Sequence, residues 1–300
     1  MTFDLVEPRP RLFSKALGGS SLPVLTLVLA IVVIWYLAAI WLNAPFIRST
    51  NPGLSLPDLV RATWSAERPV VPAPHQVLVE LWKTVVETKV TSKRSLLYHS
   101  WVTLSSSLLG FLLGSLLGIV LAVSILHVRS LEKSLLPWII ASQTIPILAI
   151  APIIIVALGS MGFVGLVPKS IISAYLCFFP VAIGMVKGLN SPDPMQLDLM
   201  RTYNATRAQT FWKLRWPSAV PFLFASLKVA IAISLVGAIV GELPTGAQAG
   251  LGARLLAGSY YGQTVQIWAA LFAAAALAAA MVATIAAAER LALRRMGVKP

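Results

Sequence analysis

The chain has 300 residues, of which 57% are hydrophobic and only 12% charged, and its mean hydropathy is +0.81. A soluble domain carries about a quarter charged residues, so the composition excludes an ordinary soluble protein and places the chain in a bilayer. The formal charge of +13 is read as Lys and Arg that set orientation in the membrane, not as a nucleic-acid surface.

The first apolar run, residues 22–42, follows Arg9, Arg11 and Lys15. A signal-peptide core is about 7–15 residues, whereas this run is about twenty, enough for roughly 30 Å of hydrocarbon. It is read as a retained first span, with residues 1–21 as a cytoplasmic tail. Residues 43–74 turn polar and collect Pro45, Pro52, Pro57, Pro69, Pro72 and Pro74, which argues against a continuous helix. Leu78, Leu81, Trp82 and Val85 then recur at helical spacing between polar residues. They predict a short interfacial helix on the outer face, within a periplasmic segment 43–95.

A second span is predicted over 96–126, with Gly110, Gly114 and Gly118 forming a smooth stripe for close helix approach. A third, over 135–158, contains Gln143, Thr144, Pro146 and Pro152, the pattern of a single bent helix beside a polar passage. The fourth runs over 170–186, the fifth over 217–240 and the sixth over 265–288. Short inside segments hold most Lys and Arg, which places both termini in the cytoplasm. The expected fold is therefore an all-α integral membrane protein with six transmembrane helices. Its five-helix core spans residues 96–290, and a cytoplasmic tail covers 291–300. The lone cysteine, Cys177, excludes an internal disulfide and a thiol metal site. His75, His99 and His127 are scattered and are read as solvated or interfacial.

Between the fourth and fifth spans lies a polar, basic elbow, residues 191–217. Asp193, Pro194 and Gln196 have the spacing of an N-cap, an N1 proline and a capping partner. Asn204 suits the left-handed position past a helix end, and Thr206 with Gln209 makes a second capping box. Met200, Tyr203, Arg207, Ala208 and Phe211 share a face, while Arg201, Lys213 and Arg215 are expected to stay wet.

In spacing, Asp198–Pro217 resembles the coupling motif of permease subunits of type I ATP-binding-cassette importers. Asp198, Leu199 and Met200 occupy its opening triplet, Asn204 its glycine position, Leu214 its apolar position and Trp216-Pro217 its terminal pair. The identities depart at the family's glutamate, both alanines, the glycine and the leucine, where Asp198, Leu199, Met200, Asn204 and Trp216 stand. The P-x-P-x-x-V at 72–77, T-I-P-I-L-A-I-A-P in the third span, and G-E followed by A-G-L-G-A resemble the branch for sulfonates, taurine, nitrate or thiamine-type pyrimidine precursors.

The resemblance implies a permease in the bacterial inner membrane, surrounded by lipid and paired with a second permease copy. It further implies two cytoplasmic ATPase subunits and a periplasmic binding protein as partners. Under it, ATPase coupling falls to Asp198, Met200, Arg201, Tyr203, Asn204, Ala205, Thr206, Arg207, Phe211 and Pro217. Gln143, Thr144, Ser173, Lys228, Ser234 and Glu242 are expected along the passage; Lys228 either attracts an anionic solute there, or sits at the dimer seam or snorkels to the inside surface. The chain lacks G-x-x-x-x-G-K-[ST], so ATP is expected to be used by the partner, and no cofactor or metal is expected on this chain. An ATP-independent channel or secondary transporter is the rival reading. A channel has no use for a doubly capped elbow.

Overall fold

The computed structural model describes residues 21–244 and 249–297. Residues 1–20, residues 245–248 of the connection after the fifth expected span, and the last three residues lie outside the described part. Regular structure among the described residues is entirely helical. The chain divides into two compact units, Met1–Val79 and Glu80–Pro300.

In the first unit, α1 (Ser21–Thr50) is apolar along most of its length. It runs through Pro45 and ends two turns beyond the expected boundary. A proline removes only one helical N–H, and the helix continues through it. Asn43 is buried, donates Nδ2 to Val71 O at 2.8 Å, and accepts from Val70 N at 2.7 Å. Trp35 Nε1 donates to Pro72 O at 2.9 Å. These bonds lay the proline-rich segment along α1 and give its carbonyls the donors that prolines cannot supply. A short α2 (Leu56–Trp64) packs on α1.

The division between units falls inside α3 (Pro74–Trp82), which continues as a π-turn over Lys83–Glu87. Leu81 and Val85 pack against Leu96, Leu251 and Ala270, while Trp82 stays exposed. The amphipathic spacing thus appears as one packed face and one open face.

Three long helices form the centre of the second unit: α4 (Leu96–His127), α7 (Leu166–Leu189) and α10 (Trp216–Glu242). The glycine stripe of α4 lies directly on α7. A Cβ at Gly110 would sit 2.6 Å from Ser170 O, at Gly114 2.6 Å from Ala174 O, and at Gly118 2.7 Å from Phe178 O. Such backbone-to-backbone approach requires the missing side chain. Gly237 of α10 meets the Ser173 backbone of α7 in the same way.

The third apolar region differs from the single bent helix expected over 135–158. It forms α5 (Arg129–Ser142) and α6 (Ile147–Ser160), inclined at 98° to each other. Pro146 is extended, with φ −63° and ψ 114°, and acts as the N-cap residue of α6. A proline disfavours helical backbone at the residue before it, so Pro146 ends the first helix, whereas Pro152 is absorbed inside the second. The Tyr175 hydroxyl of α7 donates to Ser142 O and satisfies the broken end of α5. Five described helical stretches are long and apolar enough to cross a membrane, and the bent pair makes six if counted as one.

Two short helices, α8 (Pro194–Thr202) and α9 (Arg207–Thr210), form the elbow, and α11 (Leu251–Tyr260) leads into α12 (Thr264–Arg295).

Candidate functional site

The elbow begins with a true cap. Asp193 Oδ1 accepts from Met195 N at 2.7 Å, and Gln196 Oε1 accepts from Asp193 N at 3.3 Å. At the other end of α8, Ala205 N donates to Met200 O and Asn204 N donates to Arg201 O, at 3.0 and 2.8 Å. These two bonds define a Schellman turn, with Asn204 in its left-handed position at φ 52°. Asn204 is the only described non-glycine residue with positive φ. Thr206 then opens α9: its Oγ1 accepts from Gln209 N at 3.2 Å, and its own N–H donates to Gln209 Oε1 at 2.8 Å.

Beyond α9 the helix does not stop before Pro217. It widens into a π-turn over Phe211–Arg215 and runs on as α10, so that Arg207–Glu242 is one helical stretch. The expected short second helix is therefore the first turn of the span itself. Phe211 is buried in the core beside His127, Trp212 and Trp216, with ring centroids 5.0–6.0 Å away. Arg215 was expected to stay wet. Instead its Nη1 donates to Leu189 O at 2.8 Å, satisfying the last carbonyl of α7, and to the side-chain Oδ1 of Asn190 at 3.2 Å.

The remaining elbow residues face outward. Asp198, Arg201, Tyr203, Asn204, Thr206 and Arg207 are exposed, and Met200, Ala205 and Pro217 are half-buried. Asp198 and Arg201 pair at 2.9 Å on the open surface, an arrangement worth little by itself. Under the elbow a cavity of about 360 Å³ lies between Leu126 and His127 of α4 and Arg201, Arg207 and Phe211. The result is a rigid, polar and basic knuckle anchored by one aromatic ring.

The six residues expected along the passage fall into four settings. Gln143 and Thr144 are exposed at the α5–α6 break. Ser173 and Ser234 are brought together in the sealed seam of the three central helices. There Ser173 Oγ donates to Ser234 O and Ser234 Oγ pairs with Ser107 Oγ, each at 2.8 Å. Lys228 occupies a third setting, paired with a carboxylate on another helix. Its Nζ lies 2.8 Å from Oε2 of Glu289 on α12, a partner 61 residues away that no local pattern marks.

Glu242 occupies the fourth setting and is fully buried. Thr103 Oγ1 of α4 donates to its carboxylate, 2.9 Å from Oε2, while Gly252 N donates to the same oxygen at 2.9 Å. Lys169 Nζ lies 3.6 Å from Oε1 and donates to Ala249 O at 3.0 Å. Thr103 Oγ1 also accepts from Leu251 N at 2.8 Å. His99 is buried, contrary to the solvated reading. Its Nδ1 accepts from Gly250 N at 3.0 Å, so its Nε2–H donates to Lys93 O at 2.9 Å. The carboxylate thus caps α11 and ties it to α4 and α7. This explains the A-G-L-G-A letters: Gly250 has φ +124°, its missing Cβ leaves room for the carboxylate, and Leu251 is completely buried.

A larger cavity of about 580 Å³ opens beside this knot, lined by Tyr98, Ser105, Ser106, Phe163 and Lys169 among others.

Comparison with known proteins agrees with this architecture. The family model described as "Binding-protein-dependent transport system inner membrane component" matches residues 114–298. A probable ABC transporter permease protein of Haemophilus influenzae is 31% identical over 67% of this chain and 77% of its own length. The formylaminopyrimidine transport permease protein ThiX of Halalkalibacterium halodurans is 31% identical, covering 61% and 68%. The riboflavin transport system permease protein RibX of Chloroflexus aurantiacus is 32% identical, covering 62% of this chain and 65% of its own length.

Proposed function

The chain belongs to the family of binding-protein-dependent transport-system inner-membrane components, and from that premise we propose that it carries a small solute inward when an ATPase moves its 191–217 elbow. As a member it is a multi-pass permease of an ATP-binding-cassette importer and a non-enzymatic subunit. The proposed assembly contains two cytoplasmic ATPase subunits, a second copy of this chain and an external binding protein, with both termini on the elbow's side.

One observation supports the coupling role above the others. The elbow is exposed and capped at both of its helices, yet it joins α10 without a break and is seated in the core through Phe211. A displacement at Tyr203 or Arg207 would therefore be passed to α10 as a rigid movement instead of being lost in a slack loop. Two alternating states of the central helices then complete the cycle. Asp198, Met200, Arg201, Asn204, Ala205 and Thr206 form the rest of the proposed contact face, and Pro217 holds the start of α10.

The proposed solute is a small polar or anionic organic molecule. The relatives named for formylaminopyrimidine and riboflavin make nitrogen heteroaromatics the first class to test, with sulfonates, taurine and nitrate next. Gln143 and Thr144, open at the α5–α6 break, are the side chains best placed to meet it.

Uptake by the assembled importer should vanish when the ATPase subunits are omitted, and persistence would support an ATP-independent channel or secondary transporter. Arg207→Glu, at an exposed position, should lower uptake while the permease remains inserted and ATP hydrolysis continues. Undiminished uptake in that variant would remove the elbow from the mechanism.

A further inference from the structure

Lys169 and Lys228 meet carboxylates, Arg201 meets Asp198 and Arg215 meets backbone oxygen, while cations such as Arg207 and Lys213 are exposed. One further group gathers three cations around a cavity. Behind the π-turn Lys83–Glu87, a polar cavity of about 340 Å³ is lined by Lys83, Arg94, Arg254, Gln263, Gln266 and Glu80, among others. Among the described residues no ion pair reaches any of its three cations. The Nε of Arg254 is buried without a hydrogen-bond acceptor, a costly state for a charged donor. Burial lowers the Arg254 pKa from its ordinary value; Glu80 raises it, and Arg94 lowers it again.

The position of the cavity is fixed by the helices around it. Arg254 belongs to α11, whose first turn is held by Glu242 at the end of α10. The elbow lies at the opposite end of α10, roughly 40 Å away at about 1.5 Å per residue. If the elbow meets a cytoplasmic ATPase, as proposed above, the cavity faces outside, and the inference rests on that reading for sidedness alone. Its size falls in the range of small-molecule sites, about 300–1,000 Å³. Three cations against one carboxylate, with two carboxamides as further donors, select for negative charge.

We propose that this cavity binds a small oxyanion bearing a carboxylate, sulfonate or phosphate group, with Arg254 and Arg94 as its principal ligands and Gln263 and Gln266 as neutral donors. Planar guanidinium forks match such groups with paired, charge-assisted hydrogen bonds. Glu80 opposes the anion and tunes its affinity.

The test uses the full chain in lipid nanodiscs without ATPase or binding protein. Inorganic phosphate and ethanesulfonate are titrated against sodium chloride at matched ionic strength, and binding is read by calorimetry. Saturable binding of at least one probe is expected in the wild type. Arg254→Gln should weaken it by about tenfold or more, with partial recovery in Arg254→Lys. Glu80→Gln should tighten it, since removing a like charge favours the bound anion. That gain is an outcome a folding defect cannot imitate. Absence of saturable binding overturns the proposal, as does binding that is unchanged in both Arg254→Gln and Glu80→Gln. A response that requires an added binding protein, and not the free anion, also overturns it. Because no ATPase is present, failure here leaves the elbow reading intact, and failure of the Arg207→Glu experiment leaves the cavity intact.

Discussion

Glu242 shows how far a single residue's setting can depart from what its place in the chain suggests. At the end of an apolar run, a carboxylate reads as a surface charge able to brace a gate or meet a partner. In the structure it has no exposed surface and holds α4, α7 and α11 through Thr103, Lys169 and Gly252. Removing one member of a buried pair strands the other and costs about 3–5 kcal/mol, whereas replacing both by apolar residues costs far less. Glu242→Leu should therefore lower the melting temperature of the purified permease sharply. The double variant Glu242→Leu with Lys169→Met should recover much of that loss and restore uptake. A double variant as unstable as the single one would show that the pair does not act as a unit; a stable double variant without uptake would place Glu242 on the solute path. Lys228 carries the same lesson. Its charge was visible in the sequence, but Glu289, 61 residues away, was not, because only helix packing brings α10 and α12 together.

At the scale of elements, legibility follows the range of the interaction. The caps of α8 and α9 are made by side chains two or three residues from the backbone groups they satisfy, so letters alone disclosed them. The turn at Asn204 is equally local. The bend at Pro146 was legible as a proline, but the distant bonds that accompany the 98° break and the π-turn at Phe211–Arg215, from Tyr175 to Ser142 and from Arg215 to Leu189, were not. Asn204 also supplies a sharp test of the elbow as a rigid lever. Left-handed backbone costs an ordinary residue roughly 1–2 kcal/mol, and glycine escapes that cost. Asn204→Gly should keep both uptake and ATP hydrolysis in the assembled importer. Asn204→Val should loosen the turn and lower uptake more than hydrolysis. Equal losses in both activities would mean that the turn supports folding of the complex and not transmission through it.

For the molecule as a whole, movement of the elbow is useful only if the central helices respond together. Their packing favours this: α7 meets both α4 and α10 through glycines with backbone against backbone, which limits how far the three can shift separately. The α4 stripe was legible as small residues at helical spacing, but its partner helix was not, since many apolar faces could have received it. Gly114→Ala puts a methyl group 2.6 Å from Ala174 O, where the obstruction is backbone and cannot rotate away. Gly159→Ala, at the end of α6, meets nothing within 4 Å. The first substitution should force α4 from α7, lowering the melting temperature in nanodiscs and reducing uptake; overpacking of this kind costs typically about 1–3 kcal/mol. The second should leave both unchanged. If Gly114→Ala retained full stability but lost uptake, the two helices would have to slide over one another during transport, and the central three would be a moving joint instead of a single block.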